Sequence, residues 1–532
     1  MKRTRRFGGW GFTDTKVLSP PAALSLLEST LGKGEALPEA SPELFRLPKP
    51  QKLPRLSGEI KTEGPTRLSY CCGQSFPDLL SLRTASWRRF PDAVAFPASH
   101  EEVLALVQRA SDQGVVLVPR GGGTSVVGGV SVPEDPRPVV VVSLERLSGL
   151  KSLDGRSGLA TFGAGTPGPE VEGALLANGF RLGHEPQSFE LSTIGGWAAT
   201  RSAGHRSTGV GKIEDLVAGV EVALPSGTWR LGSLPASAAG PELRKILCGS
   251  EGRLGILTSV TVRVQPQSEQ EQGLAVLFPS WDEGFEFCRK LLRDEPFPEV
   301  LRLSDAAETE FGRHLVTAGW AATVVRDFFF SLRRFSRACL LLVGSAGKAS
   351  KLVSSWGRQA RRLGGLPLGS GVYRRWLQER FKHPYLRDAF LSSGFGVDTF
   401  ETAAPWSQLP RLKEAVRAGL ERAAASLGIP ILLLCHLSHA YPDGASLYFT
   451  FFWPLRREEA LAQWQGLKRA SLEAILQAGG TVSHHHGVGR MHAAYLEREI
   501  GPQGVQALKA LAHALDPAGI LNPGVLFPAE QA

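Results

Sequence analysis

The sequence is poor in the features of a disulfide-built or membrane-spanning protein. It has 6 cysteines in 532 residues, with Cys71 and Cys72 adjacent and the others scattered. No C-x-x-C pair occurs, so neither a disulfide framework nor a cysteine zinc site is expected, and a reducing compartment is the simpler inference. No apolar run reaches the ~18 residues that a spanning helix needs. The basic start, Met1-Lys-Arg-Thr-Arg-Arg-Phe-Gly-Gly-Trp-Gly11, lacks the apolar stretch of a secretory signal, and the end, Pro-Ala-Glu-Gln-Ala532, is no peroxisomal tripeptide. A cytoplasmic protein is expected. Neither G-x-G-x-x-G nor G-x-x-x-x-G-K-[ST] is present, which disfavours Rossmann and P-loop readings. The net charge of +9 comes without the repeated aromatic and basic pattern of a nucleic-acid module. Phosphorylated ligands or a lipid surface suit that charge better.

What is there implies two or three domains, because 532 residues exceed one hydrophobic core. Residues 1–85, rich in Pro, Leu and charge with a helical stretch at 20–32, read as an extension wrapped on something larger. Beyond them, Ser99 caps a predicted helix over 100–113, with Glu101 and Glu102 in its first turn and Gly114 at its end. An apolar run at 115–118, the loop Pro119-Arg-Gly-Gly-Gly-Thr-Ser125 and a second run at 139–144 follow. Helix, strand, glycine loop and strand describe an α+β nucleotide-binding domain. Three consecutive glycines let backbone N–H groups come close to a phosphate, or simply make a tight turn. Two more glycine- and hydroxyl-rich stretches, 192–204 and 249–257, lead into predicted strands at 220–224 and 258–264. Together the three could form a groove long enough for a dinucleotide.

From residue 268 to about 500, apolar runs (274–278, 340–343, 431–434, 447–452) alternate with amphipathic helices (282–292, 348–363, 408–427, 457–478). This pattern predicts a second α+β domain, a sheet laid over the ligand of the first. A helix at 504–515 leads to Asp516-Pro-Ala-Gly-Ile-Leu-Asn-Pro-Gly524.

The chain's densest chemistry is Thr481-Val-Ser-His-His-His-Gly-Val-Gly-Arg490. Imidazoles titrate near neutrality, so His484, His485 and His486 suit proton transfer or anion binding; a metal site and a solvated turn are the alternatives. In an extended segment His484 and His486 would share a face and His485 would point away. Two ligands on one face do not complete a zinc site.

The glycine loop, the small-residue loop, Gly249-Ser-Glu-Gly-Arg-Leu-Gly-Ile-Leu257 and Asp516-Pro-Ala-Gly-Ile-Leu-Asn-Pro523 occur in the order found in flavoproteins of the vanillyl-alcohol-oxidase type. Within that superfamily several further motifs resemble the alkyldihydroxyacetonephosphate synthase family, also called alkylglycerone-phosphate synthases. They are Gly8-Gly-Trp-Gly-Phe12, Gly183-His-Glu-Pro-Gln-Ser-Phe-Glu-Leu-Ser-Thr193, Arg302-Leu-Ser-Asp305, Thr399-Phe-Glu-Thr-Ala-Ala-Pro-Trp406, Tyr448-Phe and the His run. The resemblance implies an α+β fold: a two-subdomain FAD-binding domain with an α+β substrate cap. The expected division is an N-terminal extension (1–85), the FAD domain (86–267), the cap (268–500) and a C-terminal segment returning to the FAD domain (501–532). It also implies a transferase of ether-lipid synthesis. That enzyme exchanges the acyl group of acyl-dihydroxyacetone phosphate for a long-chain fatty alcohol through a flavin N5 adduct, without net redox change.

Carried over by motif, the residues expected on FAD are Pro119, Arg120, Gly121, Gly122, Gly123, Thr124 and Ser125; Gln187, Ser188, Phe189, Glu190, Leu191, Ser192 and Thr193; Thr200, Arg201, Ser202 and Ala203; and Glu251, Gly252, Arg253, Leu254, Gly255, Ile256 and Leu257. Tyr448 matches the family's catalytic tyrosine, with His484, His485 and His486 as its helpers. From the residues alone Tyr448 reads as a core aromatic, since Phe449, Phe451 and Phe452 surround it. Arg387 and Arg302 match substrate-binding arginines, for which a guanidinium fork on phosphate is apt. No metal is expected. Arg120 and His205-Arg-Ser-Thr208 depart from the family pattern. Thr124 stands where relatives with covalent flavin carry histidine, so noncovalent FAD is expected. The family's eukaryotic peroxisomal leader is missing, so a bacterial source is expected. Expected partners are the two substrates and no nucleic acid, with a peripheral membrane contact and a homodimer as further options. A 2-hydroxy-acid dehydrogenase or oxidase on the same fold is the rival reading.

Overall fold

The computed structural model describes residues 3–15, 20–268, 270–293, 296–315 and 335–528. The first two and last four residues, on which the targeting expectations partly rest, lie outside them. The expected helix forms over His100–Gln113. Ser99 Oγ accepts the Glu102 N–H at 3.2 Å, and Gly114 closes the helix in the left-handed region at φ 66°. The buried runs on either side of the glycine loop, Val116–Arg120 and Val139–Ser143, pair in parallel within a four-stranded sheet. A five-stranded sheet follows, with Ile256–Arg263 at its centre between Leu159–Gly163 and Val217–Leu224. One apolar core joins both sheets. It includes Leu117, Phe162, Trp197 and Val260, and also Ile520, Leu521 and Val525 from the end of the chain. That end is stitched in by backbone bonds: Leu117 N–H donates to Ile520 O at 2.8 Å, and Asn522 N–H to Leu117 O at 2.9 Å.

The second half is built on a seven-stranded sheet, in which Leu432–Ala440 pairs with Gly444–Pro454 and Gly444–Pro454 with Phe395–Pro405. All its pairings are antiparallel. Side chains alternate across a strand, and here the alternation sorts chemistry from packing. Phe400, Phe449, Phe451, Cys435 and Leu437 join the core beneath the helices Leu409–Ser426 and Ala460–Gln477. Glu401, Tyr448 and His436, directly opposite one another in register, take the other face. The strand Phe395–Pro405 was seen in the sequence only as a motif, because Thr, Asp and Glu break its apolar pattern. The final helix starts earlier than expected, at Ala493, and turns at Gly501 (φ 76°) before Pro502.

The N-terminal extension packs on both halves. Helix Pro21–Leu31 buries Ala23, Leu27 and Leu31 among Phe311, Phe390, Phe395, Val397 and Phe452. Phe76, in a helix opened by a Ser75–Asp78 capping box, meets Trp453 and Trp464. The two halves are also clamped by Arg206, whose buried guanidinium contacts Glu185 at 3.1 Å, Glu271 at 2.8 Å and Glu299 at 3.0 Å. Such a cluster is costly to break on one side, since a buried charge would be left unpaired.

Leu27 is fully buried between the extension and the cap. Leu27→Ala is expected to cost about 2–4 kcal/mol, read as a lowered denaturation midpoint. An unchanged midpoint would mean that this helix is not docked.

Candidate active site

Tyr448 lies on the polar face of the cap sheet with its ring close to three imidazoles. His436 stacks on it at 4.9 Å between ring centres, His485 lies parallel at 5.9 Å, and His486 meets it edge-on at 5.6 Å. The neighbouring phenylalanines do not make Tyr448 a core residue, since Phe449 and Phe451 point to the opposite face. Burial pushes the Tyr448 phenol up to about 12, against the pull of a hydrogen bond with Thr399.

The His run is not extended, and the expected sharing of a face by His484 and His486 does not hold. The segment bends around the carboxylate of Glu401. Oε2 accepts the His484 N–H at 2.6 Å, and Oε1 accepts the N–H groups of His485 at 3.1 Å and His486 at 2.7 Å and the Ser483 hydroxyl at 3.0 Å. Three successive amides on one anion form a nest, which curls the backbone and breaks strand alternation. His485 and His486 therefore reach Tyr448, while His484 turns to Tyr441 and His439. Burial alone would raise Glu401; the amide donors overcome it and hold the carboxylate below its ordinary value. Ligand atoms of Glu401, His485 and His486 come within 4.8 Å of one another, a spacing a metal could use. Against that use, both Glu401 oxygens already accept protein donors.

Two more buried groups fix this loop from the first half of the chain. Lys212 Nζ donates to the His484 carbonyl at 2.6 Å. Glu251 accepts the N–H groups of Val488 at 2.7 Å and Gly489 at 3.0 Å, and burial pushes its carboxyl up to about 7 against the pull of those amides.

Arg302 reaches Tyr448 through His436. Its Nη1 lies 3.0 Å from His436 Nε2 and its Nη2 donates to Glu308 at 2.9 Å, while His436 Nδ1 lies 2.9 Å from the same Glu308 oxygen. An arginine can only donate, so His436 Nε2 accepts and Nδ1–H donates to Glu308. Burial and Arg302 keep this imidazole neutral. Burial would raise Glu308, yet the Arg302 guanidinium and the hydrogen bond from His436 hold it below its ordinary value. Sequence reading missed Glu308, His436 and His439, although Cys435-His436-Leu437-Ser438 carries the period-two signal that puts His436 and Ser438 on a polar strand face. Arg387 stands elsewhere. Its terminal nitrogens donate at 2.7 Å to the backbone carbonyl and to Oε1 of Gln74, whose own N–H donates to Ser125 O. The buried Arg387 Nε has no partner among the described residues.

The four expected FAD stretches do converge. An added Cβ on Gly121 would stand 2.2 Å from Thr193 Oγ1, and one on Gly122 1.9 Å from Leu191 O. These glycines are thus required by the second stretch lying against the first, a closer constraint than the approach of a phosphate. Thr193 caps the helix Ile194–Thr200, and Glu251 N–H donates to Ala199 O at 2.9 Å, tying the fourth stretch to the helix that leads into the third. The charged side chains in these stretches have protein partners. Arg120 donates to Cys72 O, Arg201 to Glu214 and Arg253 to Asp516, so glycine backbone and hydroxyls are left to face a cofactor. N-terminal residues also touch these stretches: Arg5 bonds Gly122 O, and Arg3 bonds Glu190 at 2.9 Å. The glycine-rich, hydroxyl-bearing cradle, with buried Ser438 Oγ and His439 Nδ1 unpartnered among the described residues near the imidazoles, fits FAD.

Residues 91–232 match the family model of an FAD binding domain, and residues 267–526 that of the C-terminal domain of FAD linked oxidases. The chain is 31% identical over 503 residues to an alkyldihydroxyacetonephosphate synthase of Dictyostelium discoideum, covering 92% of this chain and 82% of the relative. It is 30% identical over 519 residues to that of Trypanosoma brucei brucei, covering 94% and 83%. A solved alkyldihydroxyacetonephosphate synthase superposes with a TM-score of 0.83 at 28% identity, over 98% of this chain and 97% of its own. p-Cresol methylhydroxylase shares the fold, with a TM-score of 0.68 at 15% identity over 88% and 94%. The protein binds FAD, as these matches and the cradle agree.

Gly122→Leu is expected to yield protein without flavin absorbance, because the new side chain drives Leu191 away; normal FAD content would refute this packing. A second expectation concerns acid. Burial lowers His184, His439 and His492 to about 3 and His383 to about 4. The unfolded chain binds those protons near pH 6.5, so their contribution is complete above that pH and is lost as pH falls toward 4. The melting temperature should therefore drop steeply between pH 6.5 and 4.5; a flat profile would contradict neutral burial.

Proposed function

The chain belongs to the alkyldihydroxyacetonephosphate synthase family, and we propose that it exchanges the acyl group of acyl-dihydroxyacetone phosphate for a long-chain fatty alcohol, with Tyr448 moving the substrate's C1 proton. One observation carries this reading: a buried phenol ringed by His436, His485 and His486 and tied through His436 to Arg302. Glycine and hydroxyl positions at 119–125, 187–193, 200–203 and 251–257 hold FAD, which when bound supplies an electron-accepting ring. With Thr124 in place of a linking histidine, FAD binds noncovalently.

The residues divide the remaining work. Tyr448 takes or gives the proton at its phenolic oxygen. His485 and His486, which burial keeps neutral, offer ring nitrogens beside it. Glu308 and Arg302 fix the tautomer of His436 and so hold its ring flat against Tyr448. Arg302 presents positive charge for the substrate phosphate. Arg387 grips Gln74, which positions the first FAD stretch through Ser125, so its part in substrate binding is indirect. Glu401 and Glu251 shape the His loop, and no metal takes part. Among the described residues no helix is long and apolar enough to cross a membrane. A cytoplasmic location, a peripheral membrane contact and a homodimer belong to this proposal. The synthase relatives named above are eukaryotic and give the expected bacterial source no support.

The test is to supply acyl-dihydroxyacetone phosphate and labelled hexadecanol to the purified protein. Ether product is expected, with no loss after chelation, and acid precipitation should release the flavin into the supernatant. Absence of product together with rapid anaerobic bleaching by lactate or glycolate would favour the hydroxy-acid dehydrogenase instead. Tyr448→Phe should keep its flavin and lose ether formation by about 10²-fold or more; near-normal turnover would remove Tyr448 from the chemistry.

A further inference from the structure

A row of hydrogen bonds leads from the Tyr448 site to the edge of the cap sheet. Tyr441 Oη lies 2.8 Å from His484 Nε2, and His484 Nδ1 lies 3.0 Å from His485 Nδ1. The His485 ring lies parallel to Tyr448, 19° between planes. At the far end Tyr441 is only partly buried, in a turn whose next two residues, Pro442 and Asp443, are exposed. None of the roles assigned above uses Tyr441, and His484 has been left without one.

Two arrangements of protons satisfy this row. In the first, His485 Nδ1–H donates to His484 Nδ1, and His484 Nε2–H donates to the Tyr441 oxygen. In the second, Tyr441 O–H donates to His484 Nε2, and His484 Nδ1–H donates to His485 Nδ1. A neutral imidazole carries one N–H, so changing either end forces the whole row to change.

We propose that His484 and Tyr441 form a proton relay connecting His485, and so the Tyr448 site, with solvent, and that Tyr441 is its outer positioning residue. The proposal rests on the reading of Tyr448 given above. A proton arriving at His485 Nε2 is balanced by one passing from His485 Nδ1 to His484 Nδ1. A third passes from His484 Nε2 to the Tyr441 oxygen, and Tyr441 releases its own to water. No charge accumulates on any ring.

The surroundings favour passage over storage. Lys212 donates to the His484 carbonyl, and the His439 ring stacks at 5.6 Å from His484 and 5.1 Å from His485. Lys212 and burial together disfavour an imidazolium at either position, and Glu401, the nearby anion, is already occupied by amides. A fixed proton acceptor would need the opposite environment. The sheet supplies the geometry: a bulge between Ser438 and Ala440, with His439 at φ 46°, ends the regular ladder just before Tyr441.

The experiment compares wild type with Tyr441→Phe, which keeps the ring and removes only Oη. Wild-type ether formation and exchange of the C1 proton with deuterated water are measured first. Their absence would overturn the function reading itself, and this proposal with it. With wild type active, Tyr441→Phe should keep FAD absorbance and KM while kcat and C1 exchange fall together by about 10-fold or more. Free imidazole in the buffer should restore part of that loss by carrying the proton to His484. Unchanged kcat and exchange would overturn the relay. A loss that appears in KM or FAD content and is not rescued by imidazole would also overturn it, because Tyr441 would then only support the fold.

Discussion

A carboxylate buried within a sheet must find donors or give up its charge, and Glu401 meets that requirement by gathering a loop around itself. Three consecutive amides and the Ser483 hydroxyl converge on its two oxygens. The demand dictates the path of residues 483–486, and the path dictates where each imidazole points. An extended strand would have set the three side chains alternately. A nest splays them, so His485 and His486 face Tyr448 while His484 faces Tyr441. Without the carboxylate the amides would need other partners and the loop would have no reason to keep that curve.

The same loop closes the two halves of the molecule on each other. Glu401 belongs to the cap sheet, whereas Lys212 and Glu251 belong to the other half and hold the first histidine of the run and the residues just after it. Arg206, with carboxylates from both halves, adds a second fastening. The reaction site is therefore assembled at a seam, and its geometry depends on both halves being seated. Residues far apart in sequence, such as Glu251, Arg302, Glu401, Tyr448 and His485, are thereby brought to one place.

Much of this was legible in the sequence wherever local rules apply. The helix His100–Gln113 showed its Ser99 cap and Gly114 stop, and the buried strands appeared as apolar runs. The four stretches expected on FAD and the role expected of Tyr448 came from family motif, and the structure sets those stretches side by side and Tyr448 on the polar sheet face. The residues alone pointed the other way for Tyr448, since a run of aromatics does not show which face each one takes. The curve of the His run was illegible because its cause, Glu401, lies about eighty residues earlier, on a strand whose polar residues hide its period. His436 and Glu308 were missed for a similar reason: their importance comes from cross-strand neighbours, which a linear reading does not display. The glycine loop was read as a phosphate approach, and the structure adds a nearer reason in Thr193 and Leu191.

The proton affinities at the site are set far apart by one cause. Burial pushes Tyr448 up to about 12 and pushes His485 well below its ordinary value. Both shifts make transfer of a proton from that phenol to that imidazole uphill, so the resting site holds its protons where they are. An anion entering the cleft would raise both affinities together, since it disfavours the phenolate and favours the imidazolium.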